Sequence, residues 1–409
     1  MGLPGVIYFP EGVEQIPRCQ GEGKIAAIIG SSNIEISDPS DMKVQRIEYF
    51  PEIRGEFEST DEGGRLLAAV AQFLYEARIC HDIQRCPVDH IYVVDIGDTT
   101  TLSVAEIIER YLQAADLLAN EDDHIDMEIY LDAGDKVGLD SVTFEGTEYP
   151  NAFTFLMSKV DEHVYKMAHG DPIAGYTNYP RLTIAYASTP SSATVDQLID
   201  LTDMTNTGNY SYIRTSRVSL YDNPNNLTGF AGLVAGTYPW ENPGKHTYKT
   251  IPSGYILKRP WSDLAKLKEA GINCDWLFKP RSATRYGPVW PVSTAYRKDP
   301  NGQRPIDSTL YARIACDYVA KQIIEEASSM IYEFATEDAA NVVKSSGESI
   351  IARETSQGTI NGGSVDAYVD PNQPNVLDIE LGIIPPESIE QVMIRTKISA
   401  PGSYVPAES

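Results

Sequence analysis

Positive charge is scarce in this chain. Its 33 Lys and Arg stand against 58 Asp and Glu, a net charge of −25 over 409 residues. Neutralising phosphates needs clustered Lys and Arg, so direct binding of bare nucleic acid is not expected. The acidity fits a heavily hydrated surface and would also fit a salt-rich environment. Long apolar runs are missing too: none approaches the ~20 residues of a membrane helix, so no membrane insertion is expected. The opening MGLPGVIYFPEG has no basic start, long apolar centre or small-residue cleavage site, and does not read as a secretory signal. Cysteine amounts to Cys19, Cys80, Cys86, Cys274 and Cys316, odd in number and scattered, with no CxxC pair. That argues against zinc or redox use and for buried thiols made in a reducing cytoplasm.

Signatures of catalysis are equally thin. No GxGxxG follows a strand, and the nearest approach to a phosphate loop, GEGKI, has Arg18 where the first glycine belongs. There is no GxSxG elbow and no HExxH. His81, His90, His124, His163, His169 and His246 stand at no metal-ligand spacing. The run NEDDHID, from Asn120 to Asp126, lacks the alternating ligands and turn glycine of a calcium loop and reads as a solvated connection. IGDTTT, from Ile96 to Thr101, lies between a strand and a helix, where α/β folds bind ligands. Asp98 or a following threonine is also what a plain helix cap needs. These residues assign no catalytic, cofactor-binding or metal-binding side chain. The alternative class is an α/β enzyme using the loops near Asp98 and Asp132.

What the chain does have is rhythm. Its hydrophobic fraction of 42% is ordinary for a globular protein. KIAAIIGSS, HIYVVDIG, MEIYLDAG and RLTIAYAS read as strands, and helix patterns follow each. Leu66, Val70, Phe73, Leu74 and Ala77 line one side of the first helix. The alternation argues for an α/β fold (α+β mixed) with covered sheet faces. The stretch from Asn223 to Pro260 breaks the rhythm, with a small-residue helix at LTGFAGLVAG. The chain ends on two strand patterns split by Pro385 and Pro386. Leu377, Ile379, Leu381 and Ile383 share one face of the first, and Val392, Ile394, Thr396 and Ile398 share one face of the second.

The second half has a recognisable order. A helix leads to the turn Gly271–Ile272–Asn273, then a strand from Gly287 to Thr294 and a long helix over 309–334. An acidic break at Glu337–Asp338, a polar helix over 340–357 and a strand from Gly363 to Asp370 come next. Val376 to Pro385 loosely meets a closing G-x-L-x-V-x-I-x-x-x-P pattern. Pro4 to Pro17, PGVIYFPEGVEQIP, is like an arm before a strand that ends in glycine. In this order the chain resembles the contractile tail sheath proteins of myovirus-type phages and related injection machines. Residues 50 to 225 match by topology alone. TYPWENPGKHTYKTIPSGY stands where the family has GVW-AP, with Trp240 and Pro243 its suggestive residues.

The resemblance implies a multi-domain tail sheath fold. It divides into an N-terminal arm (1–24), an α/β region with an outward-facing part (25–225), an inner C-terminal domain (226–386) and a C-terminal arm (387–409). It implies self-assembly in hexameric-type rings stacked around a tail tube protein, with baseplate and tail terminator proteins as further partners and no cofactor. The implied location is a virion tail assembled in the host cytoplasm, and the sheath of a non-viral extracellular injection system is the near alternative. The arms of such sheaths add strands to neighbouring subunits through main-chain hydrogen bonds, each ~0.5–1.5 kcal/mol net. Val6, Tyr8 and Val13 on one arm, and Val392, Ile394 and Ile398 on the other, are the exchange candidates. A sheath must also let go of its tube, which favours polar contacts. Lys344 and Arg353 on the polar helix, then Lys321 on the helix before it, are the tube-contact candidates.

Overall fold

The run KIAAIIG carries apolar residues in both directions, as a strand covered on both faces must. In the computed structural model it forms β1 (Lys24–Gly30), with residues 26–30 all buried. The structure describes residues 24–48, 52–53, 57, 60–79, 88–121, 124–169, 181–186, 194–204, 217–223, 226–248, 259–278, 285–289, 291–296, 308–329, 336–371 and 377–386.

Beside β1 lie β3 (Val88–Asp95) on one side and β4 (Met127–Tyr130) on the other, both parallel to it. Parallel strands β7 (Leu182–Tyr186), β8 (Val218–Tyr221) and β9 (Ile272–Phe278) continue outward from β4. Two antiparallel strands form the edges: β2 (Val44–Ile47) beside β3, and β10 (Arg285–Val289) beside β9. Pro288 in β10 cannot donate to a ladder and suits an edge position. The result is one eight-stranded sheet. The expected division after residue 225 falls inside it, between β8 and β9.

Alternate residues of the central strands feed two cores. Ala26, Ile28, Ile91 and Val93 pack under α1 (Thr60–Ile79) and α6 (Leu227–Ala235). Ala27, Ile29, Tyr92 and Val94 pack under α2 (Val104–Ala119), α4 (Ala152–His169), α5 (Val195–Met204) and α7 (Trp261–Glu269). All nine residues of α6 are buried. A Cβ at Gly232 would stand 2.6 Å from the Phe73 carbonyl oxygen, so α6 lies against α1 nearly backbone to backbone. On the other face, α3 (Ala133–Val137) and the hairpin β5 (Val142–Phe144)–β6 (Thr147–Tyr149) fill the space before α4. The sequence reading did not anticipate this hairpin or β2, and it carried β10 on to Thr294, where a 3₁₀ turn stands instead.

A smaller unit follows. It consists of α8 (Leu310–Ser328), α9 (Glu337–Gln357), β11 (Gly362–Val369) and β12 (Leu377–Ile384). Thr309 and Thr336 cap its two helices, accepting from the N–H groups of Ala312 and Ala339. The start of α8 belongs to the large sheet, where Leu310 joins the α1–α6 core. Its later turns, through Val319 and Ile323, pack with Ile351, Ile360 and Val365 in a separate core. Gly347 lowers the helix propensity of α9, yet a Cβ there would stand 2.8 Å from the Val365 side chain. The glycine lets α9 close onto β11.

Candidate functional site

In a doubly wound sheet, ligands sit beyond the carboxyl ends of strands where the strand order reverses. Here that point lies around the end of β1. Asp132, just after β4, is fully buried; it accepts a hydrogen bond from the Tyr111 hydroxyl at 2.5 Å and another from the Ser31 hydroxyl. Asp95, closing β3, accepts from the backbone N–H of Ser32 (3.1 Å) and of Gly97 (2.8 Å). Burial raises its carboxyl above the usual range against those bonds. The loop after β1 then fills the crevice. The Asp98 N–H donates to the Ile34 carbonyl at 2.7 Å. The Arg110 guanidinium donates to the carbonyls of Ile96 (2.6 Å) and Ile36 (2.5 Å). Asp98 itself accepts from the Thr100 N–H (2.8 Å) and hydroxyl (2.9 Å) in an Asx turn, and these bonds lower its pKa. The cap of α2 is Ser103, in a capping box with Glu106. Both aspartates of the enzyme alternative are thus engaged in holding loops together.

The smaller unit presents a different surface. β11 and β12 pair antiparallel from Gly362–Ile384 to Val369–Leu377, and among the described residues no third strand joins either edge. Val365, Ile379, Leu381 and Ile383 pack toward α8 and α9. Asp366, Tyr368 and Glu380 lie on the outer face, where the Tyr368 hydroxyl donates to Glu380 at 2.9 Å. The alternation seen in the sequence from Leu377 to Ile383 therefore seats this sheet on its own helices.

The tube-contact candidates do not form one patch. Lys344 donates to Asp366 of β11 at 3.0 Å. Arg353 donates to Glu354 at 3.0 Å and to Gln322 of α8. Nine residues apart at ~3.6 per turn, the two emerge on opposite flanks of α9. Asp338, Asn341, Val342, Ser345 and Ser346 line a shallow open depression on the same helix. Lys321 is buried, with its ammonium on Asp126. Val6, Tyr8, Val13, Val392, Ile394 and Ile398 lie outside the described residues.

Sequence reading missed two buried polar networks. Glu128, in β4, accepts from Arg181 at 2.7 Å and Tyr130 at 3.1 Å, with His163 at 3.3 Å. Asp275, in β9, accepts from the Tyr248 hydroxyl at 2.7 Å and from that of Tyr221. A carboxylate inside an otherwise apolar strand such as MEIY or NCDWLF was the available signal, because a buried charge requires partners.

Three solved structures are similar to this chain along nearly the whole length of both. A chain of the anti-feeding prophage baseplate, 6-fold symmetrised, aligns with TM-score 0.60 and 12% identity, covering 98% of this chain and 100% of that one. The PVC sheath complex of an extracellular contractile injection system, in its contracted state, gives TM-score 0.60 and 12% identity, covering 98% of each. The helical sheath of the anti-feeding prophage, also contracted, gives 0.58 and 13%, covering 98% and 100%. The fold is a contractile-sheath fold. It is the fold class that the sequence resemblance implied. No family model and no curated protein matches the chain.

Proposed function

We propose that this chain is the subunit of a contractile tail sheath. Copies polymerise as rings stacked around a tail tube and shorten to drive that tube through a target envelope. The role is structural rather than enzymatic and needs no cofactor, because the work comes from the difference between two packings of the same subunits. The observation that carries this reading is the β11–β12 sheet, which has no third strand on either edge among the described residues, in a chain whose fold is that of contractile sheaths. Residues 1–23 and 387–409, with their alternating apolar positions, supply strands for such edges in neighbouring copies. The exposed side of α9, flanked by Lys344 and Arg353, is the surface that meets the tube, and baseplate and terminator proteins close the ends of the stack.

We read the particle as a virus tail assembled in the host cytoplasm. The similarity to extracellular injection systems favours a second reading, in which the same sheath serves a headless device. Electron microscopy of native particles separates them, since only a virus tail ends in a DNA-filled head. Deleting residues 387–409 tests the sheath role itself. The expected product is a soluble, folded monomer that no longer forms tubes, whereas insoluble protein would reject strand donation at that end.

A further inference from the structure

Two lysines are buried where residues 1–23 join the sheet. Lys24, the first residue of β1, is 9% exposed, and Lys321, in the middle of α8, is 7% exposed. The Lys24 ammonium donates to the carbonyls of Thr237 and, at 3.4 Å, Val234. These carbonyls belong to the last turn of α6 and the residue beyond its cap, where the helix dipole is negative. The Lys321 ammonium donates to one oxygen of Asp126, and the other oxygen accepts from the Ile25 N–H at 2.7 Å. The cluster therefore ties together the start of β1, the residue before β4, the end of α6 and the helix that carries the smaller unit.

One turn earlier on α8, Asp317 makes a second tie to the same end of the sheet. It accepts from Arg217, just before β8, at 3.4 Å and from Arg313 at 2.5 Å. The attachment of α8 to the sheet end is thus charged as well as apolar. A charged attachment responds to any change in the number of charges it holds.

We propose that Lys24, Asp126 and Lys321 form a charge-limited latch, which seats the smaller unit on the root of the N-terminal arm and loosens when both amines are positive. Desolvation carries the argument. A buried carboxylate stabilises one adjacent ammonium well, but a second ammonium in the same enclosure repels the first. Burial pushes Lys24 down to about 7, with Glu241 opposing. Burial and then the charge of Lys24 push Lys321 well below the ordinary lysine range, while the charge of Glu325 and the Asp126 contact oppose. Above neutral pH the folded cluster therefore holds fewer protons than the unfolded chain, and stability rises with pH from about 7 toward the ordinary lysine value. As the pH falls through about 7, Lys24 gains its charge beside Lys321 and the latch weakens.

Hydrogen exchange of the full-length monomer, corrected for intrinsic rates, tests this between pH 8 and pH 6. In the wild type, protection of α9, β11 and β12 is expected to fall by about tenfold, the equivalent of one pKa unit, while that of β1 and β4 holds. Lys24→Met should abolish the fall. Asp126→Asn should show low protection already at pH 8, and adding Lys321→Met should restore it. Wild-type protection that does not change with pH, or a fall of undiminished size in Lys24→Met, would overturn the latch. Lys24→Met keeps Asp126 and Lys321 paired, so it decides the matter even if Asp126→Asn does not fold.

Discussion

The eight-stranded sheet has helices on both faces and ends in the antiparallel strands β2 and β10, whereas the two-stranded sheet has helices on one face and, among the described residues, no third strand on either edge. Both faces of the large sheet are covered within one chain. Its cores are extensive enough to enclose polar networks at Glu128 and Asp275. The small sheet rests on a core whose buried members are Val319, Ile323, Ile351, Ile360 and Val365. A two-stranded sheet alone is marginal in water, and each strand added to it brings a further ladder and covers an edge. On the proposed strand exchange, this unit would gain stability from neighbouring copies, and its folding would be thermodynamically linked to assembly.

The comparison breaks first if the large sheet tolerates an unpaired charge. Burial opposes ionisation of Glu128, but the charges of His163 and Arg181 overcome it and hold its pKa at about 2. That stabilisation is present above the ordinary carboxylate range and is lost as the pH falls toward 2. Arg181→Leu leaves Glu128 enclosed without its guanidinium and should cost ~3–5 kcal/mol in urea unfolding. A loss under ~1 kcal/mol would mean that the large core does not depend on this pair. Next comes the pH response of Asp222, which burial first and the Asp275 charge second raise to about 7 despite Arg259. The folded chain keeps a proton that the unfolded chain releases, so this group makes stability fall as pH rises from about 4 to about 7. Asp222→Asn should flatten that slope, and thermal melts across the window would show an unchanged slope if the assignment were wrong.

The smaller unit gives smaller effects. Gly347→Ala gains ~1 kcal/mol in helix propensity but forces a methyl onto Val365, at ~1–3 kcal/mol. The expected net loss is about 1 kcal/mol, confined by hydrogen exchange to α9, β11 and β12; any stabilisation would show that the helix can move away. Lys344→Glu sharpens the comparison at its outermost surface. Its exposed pair with Asp366 should leave the Tm unmoved, while co-sedimentation with tube is lost. Retained co-sedimentation would remove Lys344 from the proposed contact.

The sequence made the repeated strand–helix order legible because buried parallel strands are apolar throughout, as in KIAAIIG and RLTIAYAS. It hid β2, whose VQRI is too polar and short to stand out from a loop, and the three-residue strands around Glu145 and Gly146. The division at residue 225, implied by the family resemblance, falls in the long connection between β8 and β9, and a sheet can resume after such a connection. Candidate site residues were legible as types rather than as places. Lys321 sits in a helix with many charged residues, and nothing local marks it as the one facing Asp126, which is far away in the chain. Lys344 and Arg353 share the polar helix in the sequence, but helical geometry sets them half a turn apart.

The ends of the strands also determine how each sheet responds to being pulled. Gly362 pairs with Ile384, so the chain arriving from α9 and the chain departing toward Pro386 leave β11–β12 at the same end. Tension between them opens the ladder one rung at a time, like a zipper, with ~0.5–1.5 kcal/mol resisting at each step. β1 is gripped along six paired positions by β3 and four by β4. A pull along its axis from Lys24 must shear all those rungs together. Under equal force the C-terminal attachment yields first and stepwise, while the N-terminal one holds until it fails at once.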